Sequence, residues 1–413
     1  MNKTLLSAML LLPCVCGAQQ TDVLFIGNSY TYVNDLPNLF KQIALSMGDT
    51  VNVSSSAPGG YTFESHASYA PTLAAINQQA WDYVVLQEQS QRPSFPPEQV
   101  AQQCYPYATQ LVDSIRANDS CTQPVFYMTW GRQNGDASNC ASWPPVCTYD
   151  GMQQRLRESY LEMAIENNAF ASPVGVAWNH VRDTHPLINL YDADESHPSA
   201  EGSYLAASVF YCTVFRTSCV PASFNFSLHA DTAAILREIA STTVLDSLAT
   251  WNIGVNDPDA GFTYTDLGSH EAVFYTNQNG EHIWLFLNNP FSTEGSPIHQ
   301  FPSIGEWTVT HVLTDACGRT DSSTQVIDLN FTGAIDLWFP EPAYSALLAG
   351  HEQLKLSGAT GTETLVLTDM TGRQVAWYVN VTESKSYACP NGIFGWRIVT
   401  REGSGYSGLI FVP

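Results

Sequence analysis

The chain has 413 residues, with 39 aspartates and glutamates against 16 lysines and arginines, so its formal net charge is −23. So acidic a chain repels phosphate backbones and anionic membranes, which argues against nucleic acid as a partner. With 44% hydrophobic and 12% aromatic residues, it can bury real cores and is not disordered. Its length predicts two or three domains.

The first residues have the pattern of a secretory signal. Lys3 precedes an almost wholly apolar run from Leu5 to Leu12, and Cys16-Gly17-Ala18 supplies small residues before Gln19. The apolar run is too short to span a bilayer. We therefore expect residues 1–18 to be a cleaved signal peptide, with no transmembrane segment. The mature protein is then secreted or held at the cell surface.

The cysteines agree with export. Two of the ten, Cys14 and Cys16, fall in the signal, and the even number that remains favours disulfides in an exported chain. Close spacing favours three pairs: Cys140–Cys147, Cys212–Cys219 and Cys104–Cys121. The remaining two, Cys317 and Cys389, are too far apart to assign.

The next part of the chain alternates between strand and helix patterns. Val23–Ile26 is a run of four apolar residues, which predicts a buried parallel strand, and residues 36–45 have apolar positions at helical spacing. Further strands are predicted at 51–54, 83–86, 125–129 and 174–177, and helices at 68–79, 98–117, 152–167, 199–215 and 231–248. Five strands that alternate with helices predict a three-layer α/β domain with a parallel sheet, closing near residue 250.

Three polar residues on this framework suggest nucleophilic chemistry. Ser29 follows the first strand, where crevices form at the carboxyl ends of parallel strands. Asp194 and His197 lie far downstream and are three residues apart, so that they share one turn. The order serine, aspartate, histidine is that of nucleophile, orienter and base. In the alternative interpretation, Ser29 only caps the following helix, and the other two only bind each other in a loop.

These residues carry a resemblance to a known family. Phe25-Ile26-Gly27-Asn28-Ser29-Tyr30 resembles the first block of the GDSL, or SGNH, hydrolases, and Asp194-Glu195-Ser196-His197-Pro198 matches their last block, Asp-x-x-His-Pro. Gly59-Gly60 resembles the second block. The resemblance spans about residues 20–220. It implies a flavodoxin-like α/β/α fold and a catalytic triad of Ser29, Asp194 and His197, with the Ser29 and Gly60 amides in the oxyanion hole.

The third block departs from the family pattern. The family carries Gly-x-Asn-Asp there, whereas this chain has Gln87-Glu88-Gln89-Ser90-Gln91 after the third strand. We expect a glutamine to supply the donor that asparagine supplies in the family. Gln89 is our choice, with Gln87 and Gln91 as alternatives. All three could instead serve only to cap the turn.

The residues of this region allow two other interpretations. Asp192, Asp194 and His197 have spacing that could ligate a metal, but a metal site needs further converging ligands that the sequence does not place nearby. We therefore expect no metal and no cofactor. Trp130, at the end of the fourth strand, is expected to be a core residue more often than a wall of the substrate pocket.

From Trp251 onward the composition changes to short alternating runs with glycine and asparagine turns, which predicts all-β immunoglobulin-like sandwich domains. Residues 298–318 resemble the closing half of a PKD-type domain, assigned to 251–340. Residues 365–375 and 392–400 resemble the C-terminal sorting domain of type IX secretion, assigned to 341–413. That resemblance implies contact with secretion machinery or attachment at the cell surface.

The sequence thus predicts a secreted serine esterase whose hydrolase domain spans 19–250. The resemblance implies that its substrates are small acyl esters, including acetyl esters on carbohydrate. The alternative is a non-catalytic cell-surface protein that uses the same pocket to bind glycans or to adhere.

Overall fold

The computed structural model describes residues 20–329 and, beyond them, 345–350, 353–357, 360–368, 374–382, 384–388, 392–399 and 405–412. The expected signal peptide and Cys389 lie outside the described residues. The chain divides into two compact units. The first extends through Ala260 and includes Gln278–Glu281 and Val312–Ser322. The second contains Gly261–Asn277, His282–His311 and the described residues from Ser323 onward.

The first unit is built on a five-stranded sheet. Its strands are β1 (Thr21–Ile26), β2 (Val51–Ser56), β3 (Tyr83–Leu86), β4 (Gln123–Tyr127) and β5 (Phe170–Ser172). They lie in the order β2-β1-β3-β4-β5, and every pairing is parallel. The apolar side chains at 23–26 are fully buried. The sheet confirms the predicted parallel α/β domain, and the strand order reverses at β1, where such folds form their ligand crevice.

Helices connect the strands and cover the sheet. They are α1 (Ser29–Tyr32), α2 (Leu36–Met47), α3 (Phe63–Ser68), α4 (Ala70–Ile76), α5 (Pro97–Gln103), α6 (Tyr105–Asn118), α7 (Tyr149–Glu166), α8 (Val174–Thr184), α9 (Ala200–Phe215) and α10 (Ala230–Leu245). Helices α2, α9 and α10 pack together as one group, and α3 to α6 pack together as another. Ser199 caps α9 as expected, because its side chain accepts a hydrogen bond from the Gly202 amide at 3.1 Å.

The prediction of a fifth strand at 174–177 is wrong. The strand is Phe170–Ser172, and Val174 begins α8 directly after Pro173. Proline cannot donate to a ladder, which favours ending the strand there. The apolar residues that follow recur at helical spacing, with Ala177 and Trp178 on the buried face. A short apolar run is compatible with either structure, so its periodicity could not decide between them.

The cysteine pairs are only partly those expected. Cys140–Cys147 is a disulfide, as its spacing predicted. Cys121 instead pairs with Cys317, which lies 196 residues away along the chain and belongs to the same unit. The predicted disulfides of Cys121 with Cys104 and of Cys212 with Cys219 are not formed: among the described residues, Cys104, Cys212 and Cys219 are buried free thiols.

The second unit is all-β in its described residues. Three of its antiparallel strands, Thr263–Gly268, Glu271–Tyr275 and Ile298–Gln300, form one small sheet. Farther along, Thr360–Thr368, Gln374–Thr382, Gly392–Val399 and Gly405–Val412 form a four-stranded antiparallel sheet. Two separate clusters of buried apolar residues support these sheets, one including Phe274 and Trp284 and the other Leu365 and Trp396. The expectation of C-terminal antiparallel β domains is confirmed.

Within the described part of the chain, no helix combines the length and the apolar character needed to cross a membrane.

Candidate active site

The turn after β1 leaves little space for side chains at its first position. A Cβ on Gly27 would lie 2.3 Å from Thr31 Oγ1 and 2.6 Å from Gln87 Oε1, so only glycine fits without rearrangement. The next residue, Asn28, caps α1, and its side chain accepts a hydrogen bond from the Tyr30 amide at 3.2 Å. Ser29 is therefore the first residue of a short helix at the carboxyl end of β1.

Gln87 fastens this turn to the end of β3. Its Oε1 accepts hydrogen bonds from the Asn28 amide at 2.9 Å and from Thr31 Oγ1 at 3.0 Å, and its Nε2 donates to Asn28 Oδ1 at 2.9 Å. The Asn28 side chain also donates to the Tyr61 carbonyl at 2.9 Å, so that the glycine turn after β2 joins the same network. Gln87 is fully buried. These contacts engage both polar atoms of its amide behind Ser29.

His197 lies beside Ser29, although 168 positions separate them in the sequence. The distance from His197 Nε2 to Ser29 Oγ is 2.8 Å, and His197 Nδ1 bonds to Asp194 Oδ2. The other carboxylate oxygen, Asp194 Oδ1, accepts from the backbone amides of Ser196 at 3.1 Å and His197 at 2.9 Å. The fold thus brings the three residues predicted as a triad into one hydrogen-bonded chain.

The environment of Asp194 favours its anionic form. Partial burial opposes ionisation, but hydrogen bonds from the His197 ring, the His197 amide and the Ser196 amide lower the pKa of Asp194 below its usual value. A carboxylate at this position holds a proton on Nδ1 of the histidine. Nε2 is then the nitrogen that can accept a proton from Ser29.

Aromatic packing holds the loop that carries Asp194 and His197. Tyr30 stacks on Trp130 with ring centroids 4.6 Å apart, and its hydroxyl lies 2.7 Å from Ser196 Oγ. Trp130 donates its indole N–H to the Ser196 carbonyl at 3.0 Å and stacks on Trp178 at 3.8 Å. Trp130 is fully buried, so it is the core residue that we expected rather than a wall of the pocket.

The triad residues open onto a cavity of about 530 Å³. Its lining includes three further groups: the glycines after β2, the turn after β3 and the loop after β4. They are Gly59, Gly60, Gln89, Ser90 and Arg132. Gly60 has φ +72°, a left-handed conformation that glycine adopts freely, and a Cβ there would meet nothing within 4 Å. Its backbone conformation, rather than crowding, therefore favours glycine.

The structure separates the three candidate glutamines. Gln89 lines the cavity, and its side chain closes the local turn by accepting from the Gln91 amide at 2.8 Å. Gln91 donates its side-chain amide to Asp136 Oδ2 at 2.6 Å. Neither Gln91 nor the buried Gln87 is among the described residues that line the cavity.

Two buried ionisable residues near the site were not singled out from the sequence. His66 lies beneath the Ser29 turn, with Nε2 2.8 Å from the Gly27 carbonyl and Nδ1 2.7 Å from Thr72 Oγ1, and burial lowers its pKa. Glu88 accepts from the Phe63 amide at 3.0 Å and from the Gln89 amide at 2.6 Å. The position of Glu88, two residues after the end of β3, was the only signal in the sequence.

The metal interpretation of the site concerns Asp192, Asp194 and His197. Among the described residues, no group of three or more histidines, cysteines, aspartates or glutamates is placed to hold a metal ion. Asp192 Oδ1 accepts from the Ala193 amide at 2.7 Å. The alternative ligand set of Asp192, Asp194 and His197 therefore gains no further converging ligand from the described fold.

Neither a family model nor a curated protein matches the chain. Solved structures do match it. A DUF4886 family protein from Bacteroides uniformis is 16% identical, with a TM-score of 0.49, over 55% of this chain and 95% of that chain. An acetyl xylan esterase from Geobacillus stearothermophilus is 17% identical, with a TM-score of 0.34, over 47% of this chain and 94% of that chain.

A protein from Slackia heliotrinireducens, described as a candidate SGNH hydrolase, is 30% identical, with a TM-score of 0.38. The match covers 47% of this chain and 98% of that chain. The assignment to a family rests on the 30% identity and on the 98% coverage of that chain. Through its N-terminal half, this chain belongs to the SGNH hydrolases.

Proposed function

We propose that this protein is an exported serine esterase that hydrolyses small acyl esters. The observation that carries the proposal is the hydrogen-bonded chain from Ser29 Oγ through the His197 ring to Asp194, at the edge of an open cavity. Family membership supports hydrolase chemistry in general, and this geometry supports ester hydrolysis by a serine nucleophile.

In the proposed mechanism, His197 Nε2 takes the proton of Ser29 as Oγ attacks the ester carbonyl. Asp194 holds the ring in the required tautomer and stabilises the imidazolium that forms. The tetrahedral intermediate collapses when His197 returns the proton to the leaving alcohol. Water, activated by the same histidine, then releases the acid and regenerates Ser29.

The developing oxyanion needs donors that are in place before the reaction. We assign this role to the backbone amides of Ser29 and Gly60 and to the side-chain amide of Gln89. The lining of one cavity by all three residues supports the assignment. Gln87 and Gln91 are disfavoured, because neither is among the described residues that line the cavity and their side-chain amides donate to Asn28 at 2.9 Å and to Asp136 at 2.6 Å respectively. The Gln89 amide nitrogen makes longer contacts, at 3.4 Å to Ser90 Oγ and 3.3 Å to Gln91 Oε1.

The finer features of the proposal rest on the sequence. The family resemblance supports acetyl esters on carbohydrate as substrates, and one of the matched structures is named an acetyl xylan esterase. The signal-like start supports export, as do the two disulfides within the described residues, since such bonds persist mainly in oxidising compartments. We further propose that 19–250 is the catalytic domain, that 251–340 is PKD-like and that 341–413 is a sorting or attachment domain.

The test uses a fluorophosphonate probe and an acetyl ester. Ser29 should be the only labelled residue, and Ser29→Ala should lower kcat on 4-nitrophenyl acetate by about 10⁴- to 10⁶-fold. Ser55→Ala is the matched control, since Ser55 is exposed on β2 and should keep the wild-type rate. Labelling at another residue would overturn the assignment of Ser29 as the nucleophile. A folded wild-type protein that neither reacts with the probe nor hydrolyses the ester would favour the non-catalytic alternative.

A further inference from the structure

Arg132 brings a positive charge into the cavity of a strongly acidic chain. It follows the end of β4 by five positions, at the same carboxyl edge of the sheet as Ser29. Of the described residues that line the cavity, it is the only lysine or arginine. The chain as a whole has more than twice as many acidic as basic residues. The composition of the chain therefore does not account for a cation at this position.

Asp136 anchors one end of the Arg132 guanidinium. Arg132 Nη1 lies 3.4 Å from Asp136 Oδ1, and the Asp136 side chain is fully buried while that of Arg132 is 29% exposed. Asp136 also accepts from Gln91 Nε2 and Asn139 Nδ2, each at 2.6 Å, and from Ser138 Oγ at 2.5 Å. The carboxylate is thus held by several donors and gives Arg132 only one long contact.

Among the described residues, the contact to Asp136 is the one hydrogen bond of the Arg132 guanidinium, and of its other N–H groups the buried Nε–H is closed to the cavity. A guanidinium has five N–H groups, and the contact to Asp136 engages one of its nitrogens. The Nε–H is buried and has no hydrogen-bond partner among the described residues. A planar fork of N–H donors, anchored at one end and partly exposed at the other, suits a carboxylate that accepts two parallel hydrogen bonds.

The other charged group of the cavity does not satisfy Arg132. Asp194 is engaged by the His197 ring and by two backbone amides. The structure describes no ion pair between Arg132 and Asp194, whereas it does describe the one with Asp136. Among the described lining residues, the remaining side chains are uncharged polar or aromatic groups, glycines and His197. An anionic group of the substrate would therefore find its counter-charge at Arg132.

We propose that the preferred ester substrate carries a carboxylate, which Arg132 binds while Ser29 attacks the ester. This inference rests on the proposed esterase function and names its substrate class. The carboxylate lies either in the acyl part, as in a half-ester of a dicarboxylic acid, or in the alcohol part, as in an acylated hydroxy acid. Both sources present the same planar anion to the guanidinium.

The test compares two pairs of esters that differ in charge and are similar in shape. Monoethyl succinate against ethyl levulinate places the charge in the acyl part, and 3-acetoxybenzoate against 3-acetoxybenzamide places it in the alcohol part. The measured quantity is the ratio of kcat/KM for the anionic ester to that for the neutral one. We expect Arg132→Gln to lower this ratio by about 10- to 100-fold in one pair, which identifies the part that carries the charge.

Two further variants separate fork geometry from net charge. Arg132→Lys keeps the charge but cannot form two parallel hydrogen bonds, so the ratio should fall by an intermediate amount. Arg157→Gln removes the same charge from α7, outside the residues that line the cavity, and should leave the ratio at its wild-type value. If Arg132→Gln does not fold, as judged by its melting curve, Arg132→Lys alone must still lower the ratio.

The outcomes distinguish this inference from the proposed function. If the wild type hydrolyses neutral esters but the Arg132 variants leave both ratios unchanged, the carboxylate proposal is overturned and the esterase stands. If the wild type hydrolyses none of the esters, the esterase proposal fails. Calorimetric titration with benzoate and benzamide then tests Arg132 directly, since only benzoate binding should weaken in Arg132→Gln; equal weakening or none overturns the inference.

Discussion

Glu88 joins two segments of the candidate site through a single buried carboxyl group. Oε2 accepts from the amide of Phe63, which begins α3 just after the glycine turn, and Oε1 accepts from the amide of Gln89. The replacement Glu88→Gln keeps the size of the side chain. It turns one of two acceptors into an N–H₂ group that would face a backbone N–H. The substitution therefore tests both the buried charge and the hydrogen bonds that join the two segments.

The magnitude follows from the pKa of the buried group. Burial raises the pKa of Glu88 from 4.5 to about 7, even though hydrogen bonds from the Gln89 and Phe63 amides favour the anion. Between these two values the unfolded chain has lost the proton and the folded protein has kept it. The contribution of the protonated Glu88 to the free energy of unfolding is thus complete below pH 4.5, and it is lost as the pH rises towards 7. The difference amounts to about 3 kcal/mol in the free energy of unfolding.

The variant has no proton to lose at this position. Its amide should cost about 1–3 kcal/mol at low pH, because a backbone donor loses its acceptor in a buried site. The gap in free energy of unfolding between wild type and Glu88→Gln should therefore shrink by about 3 kcal/mol from pH 4.5 to 8, so that the two stabilities become equal or change order. Effects of groups that titrate independently of Glu88 cancel in this difference.

Urea unfolding at a series of pH values, followed by helical circular dichroism, is the appropriate assay. The ten α-helices of the described residues all lie in the α/β unit, so this signal reports on that unit. Glu238→Gln is the matched control, because Glu238 is exposed on α10 and its variant should differ from wild type by a constant amount. A gap between wild type and Glu88→Gln that does not change with pH would refute the reasoning about the buried carboxyl.

Four further results are expected from steady-state kinetics on 4-nitrophenyl acetate. Gln89→Ala should lower kcat by about 10²- to 10³-fold with little change in KM, since a lost oxyanion donor affects mainly the transition state. Gln91→Ala should lower kcat by less than about tenfold, because the Gln91 side-chain amide is held by Asp136. A larger loss in this variant would identify Gln91 as the oxyanion donor. Asp194→Asn should lower kcat by about 10³- to 10⁴-fold, because an amide no longer selects the required His197 tautomer; an unchanged rate would remove Asp194 from the triad. Activity should survive prolonged EDTA treatment, and loss with recovery on adding zinc would favour the metal interpretation of Asp192, Asp194 and His197.

Much of the α/β unit could be read from the sequence because its signals are local. The apolar run at 23–26 and the Gly27-Asn28-Ser29 break predicted a buried strand and a turn, and both are present. Asp194 and His197 lie on one turn, so their hydrogen bond needs little help from distant parts of the chain. The prediction of a strand at 174–177 was wrong because a run of four apolar residues has too few positions to distinguish a period of 2 from one of 3.6.

Tertiary structure decided every feature that depends on residues far apart in the chain. Cys121 pairs with Cys317 rather than with the nearer Cys104, which the fold buries elsewhere. The three glutamines at 87, 89 and 91 are alike in sequence, and only their partners distinguish them: Asn28 for Gln87 and Asp136 for Gln91, while Gln89 faces the cavity. Spacing along the chain determines which residues can share one turn. Packing of parallel strands brings the carboxyl ends of β1 and β4 to one edge of the sheet, and so places Ser29 and Arg132 in the lining of one cavity. Contacts of Tyr30 and Trp130 with the loop before α9 place His197 beside Ser29.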